Sequence, residues 1–95
     1  MEITTSSNII TITGNIKSVK DFQEIKTTAD AIKTSHKSIT INIIDSLSIT
    51  SSVIGYFNKL ILKDKINIQM RIGNSKLMEL LSDLNLTSVF KARKA

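Results

Sequence analysis

The 95-residue chain contains no cysteine, no proline, no tryptophan and a single histidine. Without cysteine, disulfides, thiol nucleophiles and thiolate metal sites are all excluded. With His36 alone, a histidine-cluster metal site is excluded too, and a Ser-His-Asp hydrolase is a poor fit. Three isolated glycines, Gly14, Gly55 and Gly73, leave no glycine-rich phosphate loop. Neither proline nor any low-complexity stretch marks a linker, so residues 1–95 read as one small domain with a modest core. No apolar run approaches the roughly 18 residues that a membrane span requires. Residues 1–8 also lack the basic-then-apolar plan of a signal peptide. The expectation is a cytoplasmic domain with no membrane insertion, no metal and no cofactor.

Acidic residues are in the minority, eight against thirteen Lys and Arg, for a net charge of +5. Three of the bases, Lys91, Arg93 and Lys94, lie in the last five positions, and residues 91–95 read as a frayed, solvated basic tail. Aromatics are few, and Phe22, Tyr56, Phe57 and Phe90 are not interleaved with bases. A single-strand nucleic-acid groove combines such bases with stacking aromatics, so nucleic acid is not an expected partner.

What is present is periodic. Ile3 with its threonines, and then Ile9–Thr13, are β-branched segments separated by Ser6-Ser7-Asn8 and stopped at Gly14-Asn15. Ser18 stands three residues before Asp21, the spacing of a capping box, and Phe22, Ile25, Ala29 and Ile32 follow at helical intervals. Lys26, Asp30 and Lys33 occupy the polar face of that helix. Around His36 the pattern breaks, and a C-terminal helix cap is sufficient reason for this residue. Ser38–Ile44 resumes the period of two and ends at Asp45, with apolar residues on both faces at Ile43-Ile44, as in a strand covered on both sides.

A second helix is expected from about Ser51 to Lys63, burying Val53, Ile54, Phe57, Leu60 and Ile61. Ile66, Ile68, Met70 and Ile72 alternate with polar residues as the clearest strand in the chain. Past Gly73-Asn74-Ser75, a third helix carries Leu77, Leu80, Leu81 and Leu84 at i, i+3, i+4 and i+7. The order β-β-α-β-α-β-α predicts an α/β fold with a mostly parallel or mixed sheet of four to five strands and three or four helices. Loops at the carboxyl ends of parallel strands are where such folds place function, which directs attention to residues 45–52 and 73–75.

Within the first of these loops, Thr50, Ser51 and Ser52 stand in a row after Ser46 and Ser48. One hydroxyl suffices to cap a helix. A phosphate on another would face free backbone N–H groups and the positive end of the helix dipole. The same donors are also suited to a small anion or a nucleotide phosphate. No pair of carboxylates within a helix turn marks an acid–base couple, and the chain reads as non-enzymatic.

The stretch Ile43–Phe57, with Asp45, the hydroxyl row Thr50-Ser51-Ser52 and Gly55 one turn into the helix, resembles the signature of the STAS domain. That fold is shared by bacterial anti-sigma factor antagonists and the tails of sulfate transporters. The likeness continues through the strand Ile68–Ile72, its Gly73-Asn74 loop and the helix over 77–86, and covers about residues 8–90. It implies a single STAS-like domain that binds an anti-sigma-type serine kinase and is released when Ser51 is phosphorylated. The partner face would comprise Asp45, Ser48, Thr50, Ser52, Val53, Gly55 and Tyr56. Thr50 replaces the family's usual Asp, and Val53 a frequent Gly. A constitutive interaction subunit of a signalling or transport assembly is the alternative that keeps the fold. Weak homodimerisation is a further expectation.

Overall fold

The β-branched segments and a short C-terminal strand form one five-stranded sheet in the computed structural model, which describes residues 1–95. Glu2–Ser6 (β1) and Ile9–Thr13 (β2) pair antiparallel across a tight turn in which Ser7 takes a φ of 56°. Ser38–Ile43 (β3), Asn67–Ile72 (β4) and Ala92–Lys94 (β5) then add in parallel, in the spatial order β1-β2-β3-β4-β5. Val19–Lys33 (α1), Ser51–Leu62 (α2) and Ser75–Asp83 (α3) are the three crossovers. The fold is a mixed α/β sheet, as the element order implies.

The register explains the core. Ile10 pairs with Ile41 and Ile41 with Met70, while Ile12, Ile43 and Ile72 form the next transverse row. All six are essentially inaccessible, and they share one cluster with Ile25 and Ala29 of α1, Val53, Phe57 and Leu60 of α2, and Leu77 and Leu81 of α3. Phe90 is fully buried as well, edge-on to Phe57 with ring centroids 6.1 Å apart. Each side chain of this size contributes roughly 1.5–3 kcal/mol on burial, so the isoleucine face is the principal source of stability.

The helix starts follow their local signals. Ser18 accepts from the Asp21 N–H at 3.0 Å, and the Asp21 carboxylate accepts from the Ser18 N–H at 3.1 Å, completing the box. The Lys17 N–H also donates to it, and these bonds hold the Asp21 carboxyl below its ordinary range. At the other end of α1, the His36 ring lies 3.4 Å from the Ile32 carbonyl, in keeping with a capping position.

Two expectations are corrected. β3 is not covered on both sides: Ser38, Thr40 and Asn42 are only half-buried on the face away from the helices, and Ile44 is 47% exposed. The end of the chain is not a frayed tail either. Ala92–Lys94 is an edge strand in register with Met70–Ile72, and the Ala95 N–H donates to the Ile72 carbonyl at 2.9 Å. Backbone pairing of this kind needs no apolar pattern, and Phe90 anchors the strand from inside the core. Ile54 and Ile61 are half-buried, and Leu84 is exposed at the C-cap of α3.

Candidate functional site: the β3–α2 loop

Residues 44–50 link β3 to α2, and their backbone is held from below by the β2–α1 segment. The Gly14 N–H donates to Asp45 Oδ1 at 2.8 Å, and the Leu47 N–H to Asn15 Oδ1 at 2.9 Å. Ser46 is the one buried polar residue of the chain. Its Oγ accepts from the Ile16 N–H at 3.0 Å and donates to the Ser48 carbonyl at 2.7 Å. Ser48 Oγ donates to the Ile16 carbonyl at 3.0 Å. Burying a hydroxyl is favourable only when its bonds are made, and here they fix the loop's path. Two of the expected functional side chains, Asp45 and Ser48, thus serve the loop itself, together with Ser46.

The next residues divide sharply. Thr50 is the N-cap of α2, with Oγ1 accepting from the Val53 N–H at 3.3 Å and its carbonyl from the Ile54 N–H at 3.0 Å. Ser51 and Ser52 occupy the first turn, exposed, and neither hydroxyl bonds within the molecule. No acidic residue occupies that first turn, so an anion would meet the positive helix end without a competing charge. Gly55 is exposed one turn on, and a Cβ there would meet nothing within 4 Å.

Val53 and Tyr56 point the other way, which corrects their placement on the partner face. Val53 is fully buried and Tyr56 only 5% exposed. The Tyr56 hydroxyl donates to Asp30 Oδ1 of α1 at 2.6 Å, and its ring stands edge-on to Phe22 at 6.4 Å. Burial and the adjacent Asp30 carboxylate push the Tyr56 phenol upward. Both residues support α2 from beneath. The surface that remains consists of Ser51, Ser52, Gly55 and Lys59 along α2, with Leu47 (52% exposed) and Leu62 (70% exposed) beside and beyond them. Nothing local in the sequence distinguishes Leu47 or Leu62 from an ordinary apolar side chain, since single exposed leucines are common on protein surfaces. No three His, Asp or Glu side chains converge as metal ligands, and no helix is long and apolar enough to cross a membrane.

No family model matches the chain, and no curated protein matches it. Among solved structures the chain is similar to the NMR structure of the protein TM1081, with a TM-score of 0.67 at 15% identity. The alignment covers 98% of this chain and 79% of that one. Likeness at this identity bears on the fold, which is therefore a recurring small α/β architecture.

Proposed function

We propose that the domain is a non-enzymatic interaction module that switches between protein partners, as the STAS-like pattern of residues 43–57 implies. In its unmodified state the exposed face of α2 and the preceding loop docks an anti-sigma-type serine kinase. Phosphorylation of Ser51 adds nearly two negative charges at that face and releases the partner. A loss of about 3 kcal/mol would weaken binding more than a hundredfold, which is enough for a switch.

The observation that carries this reading is a division of labour. Thr50 caps α2, and this leaves the exposed Ser51 hydroxyl without a structural duty. Leu47 and Leu62 are exposed apolar side chains before and at the far end of α2. The alternative, a constitutive module without phosphorylation, draws on Thr50 itself. A hydroxyl engaged in capping supplies no carboxylate beside Ser51 of the kind the family has there.

Pull-down with Ser51→Ala and Ser51→Asp, followed by titration of the recovered kinase, separates the two. Both variants should fold like the parent, because Ser51 makes no side-chain bond. Ser51→Ala should bind permanently and gain no mass with the kinase and ATP, whereas Ser51→Asp should bind at least tenfold more weakly, about 1.4 kcal/mol. Equal affinity for all three proteins would leave the constitutive module as the better account.

A further inference from the structure

The face of the sheet turned away from the helices is mostly polar, with Ile9 its one apolar strand residue. One transverse row reads Thr4, Thr11, Asn42, Arg71 and Arg93, each paired in register with the next. Its last two members put two guanidinium groups side by side on adjacent strands. Like charges directly opposite one another destabilise a sheet. No carboxylate relieves this pair: the ion pairs of the molecule are Lys26–Asp30, Lys33–Asp30 and Lys33–Asp64, all remote from β4 and β5 in the chain's pairing.

A cleft of about 450 Å³ opens at this place, between β4, β5 and the turn that leads into β5. Arg71, Lys91 and Arg93 line it together with Gln69, Thr87 and Ser88, and no acidic residue does. The side chains of Arg71, Arg93, Gln69, Thr87 and Ser88 make no hydrogen bond within the molecule, while Lys91 reaches the exposed Asn67 Oδ1. Three cations and two hydroxyls therefore face one concavity whose volume falls within the usual range for small ligands. Charge of one sign in a cleft concentrates counter-ions there. Guanidinium groups in particular bind phosphoryl oxygens through two parallel hydrogen bonds. No aromatic residue lines the cleft, so it lacks the stacking surface of a single-strand nucleic-acid groove.

We propose that the β4–β5 cleft binds a small molecule through its diphosphate group, with Arg71 and Arg93 each clasping one phosphoryl group. Lys91 swings from Asn67 to complete the charge balance, and Thr87 and Ser88 donate from the turn. The site lies on the opposite side of the sheet from α2 and does not depend on the switching of Ser51.

Titration with inorganic pyrophosphate and with ADP, followed by amide NMR and calorimetry on the full chain, tests the proposal. Both should bind saturably at one site, shift the amides of Arg71 and of residues 87–93, and bind more weakly as salt rises. Orthophosphate, with one phosphoryl group to share between the two guanidiniums and less charge, should bind at least tenfold more weakly. Arg93→Glu is the informative variant, because it sets a carboxylate opposite Arg71. It should melt at the parent's temperature or above it and lose pyrophosphate binding, two effects that a merely structural arginine would not combine. Arg71→Gln provides the same loss should the first variant fail to fold. Absence of amide shifts at millimolar pyrophosphate, or binding unaffected by either substitution, overturns the site. Tighter binding of a single-stranded oligonucleotide than of ADP overturns its assignment to a small molecule.

Discussion

Gly55 and Gly73 are chemically the same residue in opposite circumstances. A Cβ on Gly73 would stand 2.0 Å from the Ile44 carbonyl oxygen, because the chain leaving β4 stays alongside the chain leaving β3, with the Gly73 N–H donating to the Ile43 carbonyl. Gly73→Ala must therefore push two backbone segments apart. It should cost about 2 kcal/mol or more by the usual scale of overpacking. Gly55 lies in the first half of a helix with open space where its side chain would be. Gly55→Ala should instead stabilise the protein by up to about 1 kcal/mol, the difference in helix propensity. Urea titration of the two variants should move the midpoint in opposite directions. Neither outcome depends on what Gly55 does for a partner, and the proposed α2 interface would be tested by the same alanine through binding.

Between elements, the contact of α1 with α2 is where charge contributes most. Asp30 of α1 receives the Tyr56 hydroxyl at 2.6 Å and Lys26 at 2.9 Å, with Lys33 at 3.3 Å. Lys33 extends the network to Asp64 just beyond α2, and this hydrogen bond raises the Lys33 ammonium. Partial burial alone would push the Asp30 carboxyl up, but the bonds from Tyr56, Lys26 and Lys33 outweigh it and hold it at about 2 instead of 3.8. A depressed carboxyl stabilises the fold at pH values above its unfolded pKa and ceases to do so as pH falls through the folded one. Stability should therefore decline between about pH 4 and pH 2. As the side chain is 32% exposed, screening limits the contribution to about 1 kcal/mol. Chemical denaturation across that window should show a smaller decline for Asp30→Asn than for the parent. An equal decline in both would place the acid-sensitive group elsewhere.

For the molecule as a whole, the decisive fact is that its strands run in sequence order. Each crossover, β2–α1–β3, β3–α2–β4 and β4–α3–β5, steps one strand in the same direction. Crossovers share one hand, so all three helices fall on one face and the other remains bare. Doubly wound sheets reverse direction and cover both faces; this one does not. The consequence is a steep contrast between neighbouring positions. Ile43→Asp puts an unpaired carboxylate in a site 1% exposed, at a cost of several kcal/mol against a total of roughly 5–15, and should prevent folding. Gln69→Asp, on the bare face of the adjoining strand, should cost less than about 1 kcal/mol. Circular dichroism and thermal melting distinguish them. A cooperatively folded Ile43→Asp variant would mean that the isoleucine rows are not the core.

Local chemistry determined the first four strands and the three helices. The threonine-isoleucine alternation, the Ser18–Asp21 box and the leucine spacing of α3 each act within a few residues, where the chain needs no distant partner. The same locality marked residues 45–52 as the connection that leaves β3 and enters α2. Tertiary structure decided the rest. Ile43-Ile44 reads as a doubly covered strand, yet coverage depends on the direction of three crossovers that no short segment encodes. Ala92–Lys94 reads as a tail, yet an edge strand is made by backbone pairing to a neighbour over twenty residues away in the chain. Val53 stands at a spacing that already marks it for the core, whereas Tyr56 follows Gly55 near the exposed serines, and only the packing of α2 on α1 turned it inward. It likewise brought Arg71 beside Arg93, since a transverse row exists only once the strands have been placed in register.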